Sequence, residues 1–309
     1  MSARALGYRL LGKGFDYLLH LRPAEWPIFT VHFLTGSALA IGVAGLAAPG
    51  QRGALLRGTL AFVIGLNGGT LALNSAFDRD EGDVAYLRRP PPPPRGLGAF
   101  GLALMLLGSV AALGLPRGFQ AAYGLCVVLS VLYSVPPVRL KARAGADLLI
   151  NLAGFGFLTP YAGWALTGRP LQDPGRIVLL AFAALFGALY PLTQIYQLEE
   201  DRARGDRTLA VVLGLDRSLL ISLLLAGLAF AGFALAAART ARGAAVGGLS
   251  LSLSLTLTLA LSALAWALVL IPWWFRRRRM TPAQHQSGMH RALGAWALTD
   301  LAVLFVWAR

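Results

Sequence analysis

The sequence predicts an all-α protein, a polytopic membrane bundle of nine transmembrane helices forming one membrane-embedded domain over residues 1–309. Three observations predict it. Charged residues are only 14% of the chain, against about 25% in a typical soluble domain. Hydrophobic residues reach 56% and mean hydropathy is +0.62. Apolar runs recur from end to end, each near the ~20 residues that a helix needs to cross a bilayer. A soluble enzyme, a disordered chain and a secreted disulfide scaffold are excluded. The one cysteine, Cys126, has no intrachain partner and lies in an apolar run. No cleavable signal peptide is expected, because Arg4, Arg9, Lys13 and Asp16 interrupt the first twenty residues.

The elements follow in order. Residues 1–26 read as an amphipathic lead-in on the membrane surface, with Phe15, Tyr17, Leu18 and Leu19 against lipid. Spans are expected near 27–48, 57–76, 98–115, 118–135, 146–167, 177–196, 218–238, 245–272 and 289–308. The third and fourth meet at a short turn around Pro116. Pro90 to Pro94 is a stiff, extended segment, because proline fixes φ and lacks a backbone donor. The Leu-Ser-Leu-Ser-Leu-Thr-Leu-Thr stretch, 251–258, alternates like a strand, but an open strand does not survive in lipid, so a helix is expected. Asp300 falls inside the ninth run, as a helix-bonding or functional carboxylate. His285 and His290 are expected in a loop with structural or surface roles.

The net charge of +14 would suit a nucleic-acid binder, but the cations sit between apolar runs rather than on one face. With the N-terminus inside, 20 of the 28 cations fall in inside segments. That asymmetry matches the positive-inside rule and places the chain in a cell inner membrane, with its N-terminus cytoplasmic.

Topology does not require carboxylates, yet eight of the fourteen cluster in two inside loops. The first cluster, Asp78, Asp80, Glu81 and Asp83, continues the second span, and Asn67, Asn74, Asp78 and Glu81 recur on one helical stripe. The second, Glu199, Glu200, Asp201 and Asp206, continues the sixth span, where Tyr190, Gln194, Gln197 and Asp201 recur likewise. Polar stripes that begin inside an apolar span are costly unless they face a cavity. Oxygen-rich clusters of this kind suit Mg²⁺ together with a phosphorylated substrate. Calcium is disfavoured, since no EF-hand spacing is present. Zinc is disfavoured too, since the four histidines do not pair at ligand spacing. A diphosphate head with a hydrocarbon tail satisfies both the acidic mouth and the apolar bundle. Phe77, Phe155, Phe157, Tyr161, Trp164 and Tyr190 are aromatic candidates for stabilising an allylic cation.

These residues resemble the UbiA superfamily of intramembrane prenyltransferases, over nearly the whole chain. The first family motif, Asn-Asp-x-x-Asp-x-x-x-Asp, is matched by Asn74 and Asp78, with Asp83 one residue late and Ser75 in place of an Asp. In the second, Asp-x-x-x-Asp, Gln197 replaces the first Asp and Asp201 matches the next, followed by Gly205-Asp206-Arg207-Thr208-Leu209. Arg22-Pro23 and Tyr133-Ser134-Val135-Pro136-Pro137-Val138-Arg139-Leu140-Lys141 resemble two further family stretches.

The resemblance implies Mg²⁺-dependent transfer of a prenyl group from a prenyl diphosphate to a small acceptor within the membrane. The family's acceptor is often aromatic; a porphyrin-derived alcohol, a glycerol phosphate or a sugar phosphate also occurs. It implies Asp78, Asp83, Asp201 and Lys141 as catalytic residues. Metal ligands would come from Asn74, Asp78, Asp80, Asp83, Glu200 and Asp201, with Glu81 an alternative to Asp83. Arg22, Asn67, Asn74, Arg79, Arg139, Tyr190, Gln194, Gln197 and Arg207 would contact substrate. Three other readings stay open: a terpene cyclase using the same ionisation, a prenyl-lipid binder without turnover, and a transporter with acidic coordination sites.

Overall fold

The computed structural model describes residues 3–78, 84, 86–243 and 248–308, and among these the chain is helical without a named strand. The lead-in forms α1 (Ala3–Leu11) and α2 (Phe15–His20). It is bonded to the segment that precedes Leu97. The Arg4 guanidinium donates to the carbonyls of Arg88 and Arg89 at 3.0 Å. The Tyr17 hydroxyl donates to Arg95 O at 2.6 Å, and His20 Nε2 meets Pro91 O at 3.1 Å. A proline-rich segment makes no ladder of its own, so its carbonyls must find outside donors. Tyr17, expected against lipid, instead packs edge-on to Phe100, and Phe15 packs on Tyr8.

The first span is α3 (Trp26–Leu46). The second is one rod of α4 (Pro49–Leu60), a π-helical segment at Ala61–Gly68 and α5 (Gly69–Asp78). Next come α6 (Leu97–Ala112) and α7 (Arg117–Ser134). The fifth rod repeats the pattern of the second: α8 (Ala146–Asn151), a π-helical segment at Leu152–Leu158 and α9 (Thr159–Leu166). Then follow α10 (Gly175–Ile195), the short α11 (Leu198–Ala203), α12 (Leu209–Gly243), α13 (Gly248–Arg276) and α14 (Pro282–Trp307).

Six helical stretches among the described residues are long and apolar enough to cross a membrane: 23–46, 49–78, 175–195, 209–240, 256–279 and 282–307. The other three expected spans fall on α6, α7 and the fifth rod. The protein is a multi-pass membrane protein. The 251–258 repeat is helical inside α13, as expected. His285 and His290 are not in a loop, because α14 starts at Pro282. A capping box between Thr281 and Gln284 sets that start. His285 is buried and accepts from Trp273 Nε1 at 2.8 Å.

Helix α10 is the axis of the bundle, with Val178, Phe182, Leu185 and Leu192 fully buried. Leu219, Ala226, Ala229 and Phe233 of α12 pack on it, together with Trp266 of α13 and Trp296 of α14. A second core joins α3, α7, α9 and the second rod around Phe33, Phe62, Phe119 and Tyr123. Small residues let α3 and α9 touch backbone to backbone, the usual device of membrane bundles. A Cβ on Gly163 would stand 1.8 Å from Phe33 O. Backbone at that distance cannot yield without moving the helices apart. Gly163→Ala is expected to cost about 1–3 kcal/mol, read as a lower thermal midpoint in detergent; an unchanged midpoint would show that the two helices are not locked.

Candidate active site

The second, fourth, fifth and sixth rods enclose a cavity of ≈340 Å³, with α3 and α14 completing its wall. Its walls are mostly apolar and aromatic: Phe29, Phe62, Leu66, Leu129, Phe155, Phe186 and Leu189. Polar groups gather at one end, where Arg22, Asn74, Tyr133, Asn151, Tyr190 and Gln197 line it, and Asn67 adds an amide deeper in the wall. A binding site for an apolar body with a polar head has this character.

At that polar end, one turn beyond Asn74, three carboxylates and three cations alternate. Lys141 Nζ is in direct ion-pair contact with Asp78 and donates to Asn74 Oδ1 at 3.1 Å. Arg139 reaches Asp78 Oδ1 at 3.3 Å with one nitrogen and forks onto Asp206. Arg204 Nε lies 3.4 Å from Asp206 Oδ2, and its Nη2 pairs with Asp201. The chain Lys141–Asp78–Arg139–Asp206–Arg204–Asp201 thus joins the end of the second rod to the loop after the sixth. Asp78, Asp201 and Asp206 side chains are 6–7% exposed. Charges so poorly solvated persist only with partners. Burial pulls the Lys141 ammonium down to about 7, against the opposing pull of Asp206. Burial likewise raises the Asp201 carboxyl, opposed first by Arg204 and then by the Thr208 hydroxyl.

Local backbone places these groups. Glycine at position 205 takes φ +77° and ends α11. The turn lets Asp206 N bond Asp201 O at 2.9 Å, the 6→1 bond that folds a chain back at a helix C-terminus. Asp206 therefore returns beside Asp201. Arg22 and Arg139 hold φ of +50° and +36°. Non-glycine residues in that region cost roughly 1–3 kcal/mol and gather where function over-determines them. The Arg207 N–H bonds Ala142 O at 3.1 Å, tying the two loops together.

Behind the mouth lies a buried network. Asp147 is fully buried and accepts four donors: Gly145 N (2.9 Å), Leu148 N (2.8 Å), Gln194 Nε2 (2.9 Å) and Leu209 N (2.7 Å). Gln194 accepts from Ala210 N at 3.1 Å, which fixes its amide, and donates to the Tyr190 hydroxyl at 3.0 Å. Tyr190 and Tyr133 bond each other at 3.0 Å. The ends of the fourth, fifth, sixth and seventh helical rods are thereby locked around the site.

The sequence-derived candidates fall into groups. Asn74, Asp78, Arg139, Lys141 and Asp201 meet at the mouth. Asn67, Arg22, Tyr190 and Gln197 line the cavity, and Asn67 Nδ2 and Arg22 Nε and Nη2 are buried without a hydrogen-bond partner. Gln194 stands behind the wall rather than on it. Glu200 pairs with Arg204 at 3.1 Å on the partly exposed side of α11, and the Arg207 side chain is exposed. Arg79, Asp80, Glu81 and Asp83 lie outside the described residues.

Of the aromatic candidates, Phe155 and Tyr190 line the cavity. Phe157 and Tyr161 stack on each other in the second core, Trp164 bonds Arg169 O at the opposite end, and Phe77 is exposed. On the fifth rod the inward face carries Asn151, Phe155 and Thr159, four residues apart, and Phe157 and Tyr161 fall off that stripe. Asp206, Arg204 and Asp147 were not singled out as site residues. The Gly-Asp-Arg-Thr turn was the available signal for Asp206, whereas nothing local marks Asp147.

Among the described residues no three Asp, Glu, His or Cys side chains converge on one point. The oxygens are divided between two helix ends. They are carboxylate and amide oxygens, a donor set that fits Mg²⁺ held through one or two carboxylates and a substrate's phosphates.

A model of the UbiA prenyltransferase family matches residues 34–296. The chain is 32% identical over 156 residues to digeranylgeranylglyceryl phosphate synthase of Natronomonas pharaonis, covering 49% of this chain and 54% of that protein. It is 32% identical over 154 residues to lycopene elongase/hydratase of Halobacterium salinarum, covering 48% and 54%. The match therefore spans about half the length of these curated relatives. The fold is similar to that of a UbiA homologue from Archaeoglobus fulgidus bound to DMAPP and Mg²⁺, with TM-score 0.68, 20% identity, and coverage of 94% of this chain and 99% of that one. An apo UbiA homologue from Aeropyrum pernix K1 gives TM-score 0.61, 19% identity, and coverage of 90% and 96%.

Proposed function

The chain belongs to the UbiA prenyltransferase family, and from that premise we propose that it transfers a prenyl group from a prenyl diphosphate, with Mg²⁺, to a small acceptor in the membrane. The carrying observation is the alternating run of carboxylates and cations at the polar mouth of an apolar, aromatic-lined cavity. A prenyl diphosphate fits that polarity end for end. The Archaeoglobus fulgidus neighbours, bound to DMAPP or GPP with Mg²⁺, support the same assignment.

In this reading Asp78, Asn74 and Asp201 would hold Mg²⁺, with Asp80, Asp83 and Glu200 as further carboxylates near the two helix ends. The metal, when bound, supplies charge neutralisation to the departing diphosphate. Arg139 and Lys141 donate to the diphosphate oxygens as its bond to the allylic carbon breaks and it takes the electron pair. Asn67 Nδ2 and Arg22, each buried with unpartnered nitrogens, offer further donors along the cavity wall. Phe155, Phe186 and Tyr190 face the allylic carbon chain, where ring faces favour developing positive charge. The dry walls keep water from that cation. The acceptor is an electron-rich ring or double bond, suited to a wall with few charges. The mouth loops and the N-terminus face the cytoplasm, on the side richer in arginine.

Purified protein in detergent should release pyrophosphate from geranyl, farnesyl or geranylgeranyl diphosphate when membrane extract supplies acceptors, and only with Mg²⁺. Mass spectrometry of the lipid product separates transfer from cyclisation. Binding of prenyl diphosphate without release would favour a binding protein, and neither binding nor release would defeat the assignment.

A further inference from the structure

The π-helical segment of the fifth rod leaves one backbone carbonyl without its donor. The Thr159 N–H is directed at Gly154 O, and its hydroxyl bonds the same oxygen at 3.1 Å. The next residue is Pro160, which has no N–H to offer. Phe155 O therefore receives neither the α-helical nor the π-helical bond from its own rod. His32 of α3 fills the gap, with Nε2 at 3.2 Å from Phe155 O. A carbonyl only accepts, so Nε2 carries the hydrogen. The other ring nitrogen, Nδ1, lies 3.0 Å from Asp300 Oδ1 on α14. His32 is fully buried and Asp300 is 1% exposed. A polar pair inside an apolar bundle is expensive unless it is fully bonded and has a task.

The task is written in what the pair touches. The His32 ring stacks on the Phe155 ring at 5.2 Å and 19°, and meets Trp296 edge-on at 4.8 Å. Phe155 in turn packs at 4.4 Å on Phe29 and 4.3 Å on Phe186, and all three rings line the cavity. On the fifth rod Asn151, Phe155 and Thr159 line it in succession, from the polar mouth inward. Phe155 stands midway, so a longer tail must pass its ring to reach Phe62, Cys126 and Thr159.

We propose that His32, braced by Asp300, is a positioning residue that holds Phe155 at mid-cavity and so sets the length of prenyl chain the site prefers. The inference rests on the prenyl-diphosphate reading above. Neither His32 nor Asp300 touches the tail; both act through the backbone and ring of Phe155.

The test compares geranyl, farnesyl and geranylgeranyl diphosphates with the full-length protein in detergent and Mg²⁺. His32→Leu, which removes the donor, should change the ratio of kcat/KM between the longest and shortest substrates by roughly tenfold, the scale on which one wall contact discriminates tails. Asp300→Leu should shift the ratio in the same direction and serves if the first variant does not fold. Asp300→Asn should leave the ratio nearly unchanged, because its amide can donate to Nδ1 and keep the hydrogen on Nε2. Adding Pro160→Ala, which returns a backbone donor near Phe155 O, should recover most of the ratio lost in His32→Leu. An equal loss for all three substrates, or an unaltered ratio, would reduce the pair to plain packing and overturn the proposal. The same ratios read from Mg²⁺-dependent binding of the three diphosphates do not need turnover. Absent turnover in the unaltered protein would count against the transferase reading, and the binding ratios would still decide this one.

Discussion

Asp78→Ala is expected to lower Mg²⁺-dependent pyrophosphate release by at least about 10²–10³-fold, the cost of removing one preorganised electrostatic group from a reacting centre. Asp78 is the carboxylate to which both Lys141 and Arg139 are drawn from the loop after α7. Without it two cations lose their anchor at the mouth, and the second rod loses its carboxylate beside Asn74. Binding of the diphosphate should suffer less than turnover, because Arg139 and Lys141 remain free to pair with the phosphates. The expected signature is therefore a fall in kcat with a smaller change in KM. A variant that keeps kcat while KM rises would place Asp78 in binding alone. Full activity would remove it from the site.

Asp147→Ala is expected to be the most destabilising single change near the site, by about 3 kcal/mol or more. Four donors converge on this fully buried carboxylate, and each donor left unpaired costs about 1–3 kcal/mol before relaxation. Asn is no remedy. Both carboxylate oxygens accept two donors each, so an amide NH₂ would face two N–H groups wherever it turned. Asp147→Asn should therefore lose nearly as much as Asp147→Ala in thermal unfolding, whereas Gln194→Ala, which leaves three of the four donors bonded, should lose less. An Asn variant as stable as the parent would mean that the four bonds do not carry this junction.

What was legible in the sequence was what repeats along one helix. The apolar runs declare themselves because every span must present apolar surface to lipid. Asn67, Asn74 and Asp78 were legible as a stripe, since spacings of seven and four keep side chains on one face. The positive loops were legible by their charge. Features made by distant partners were not. His32 and Asp300 stand 268 residues apart, and no spacing announces their bond. Asp147 draws two of its four donors from residues 194 and 209. Asp206 reaches Asp201 only because the turn at position 205 reverses the chain. Of the six aromatic candidates, Phe155 and Tyr190 line the cavity. Phe157 and Tyr161 stand two and six residues from Phe155, on other faces of the fifth rod, so Phe155 lines the cavity while they do not. Gln194 illustrates the limit of periodicity: it shares a stripe with Tyr190 yet points at Ala210 and Asp147 instead of the cavity.

In the proposed complex a diphosphate head sits between the end of the second rod and the loop after the sixth, with its tail in the aromatic cavity. The most direct measurement is an experimental structure of the full-length protein with Mg²⁺ and a non-hydrolysable geranylgeranyl thiolodiphosphate. The diphosphate is expected within reach of Arg139 and Lys141, with Mg²⁺ held by Asp78 and Asp201 and the tail running past Phe155. A diphosphate bound away from the mouth, with the Lys141–Asp78–Arg139–Asp206 pairs unbroken, would refute this placement.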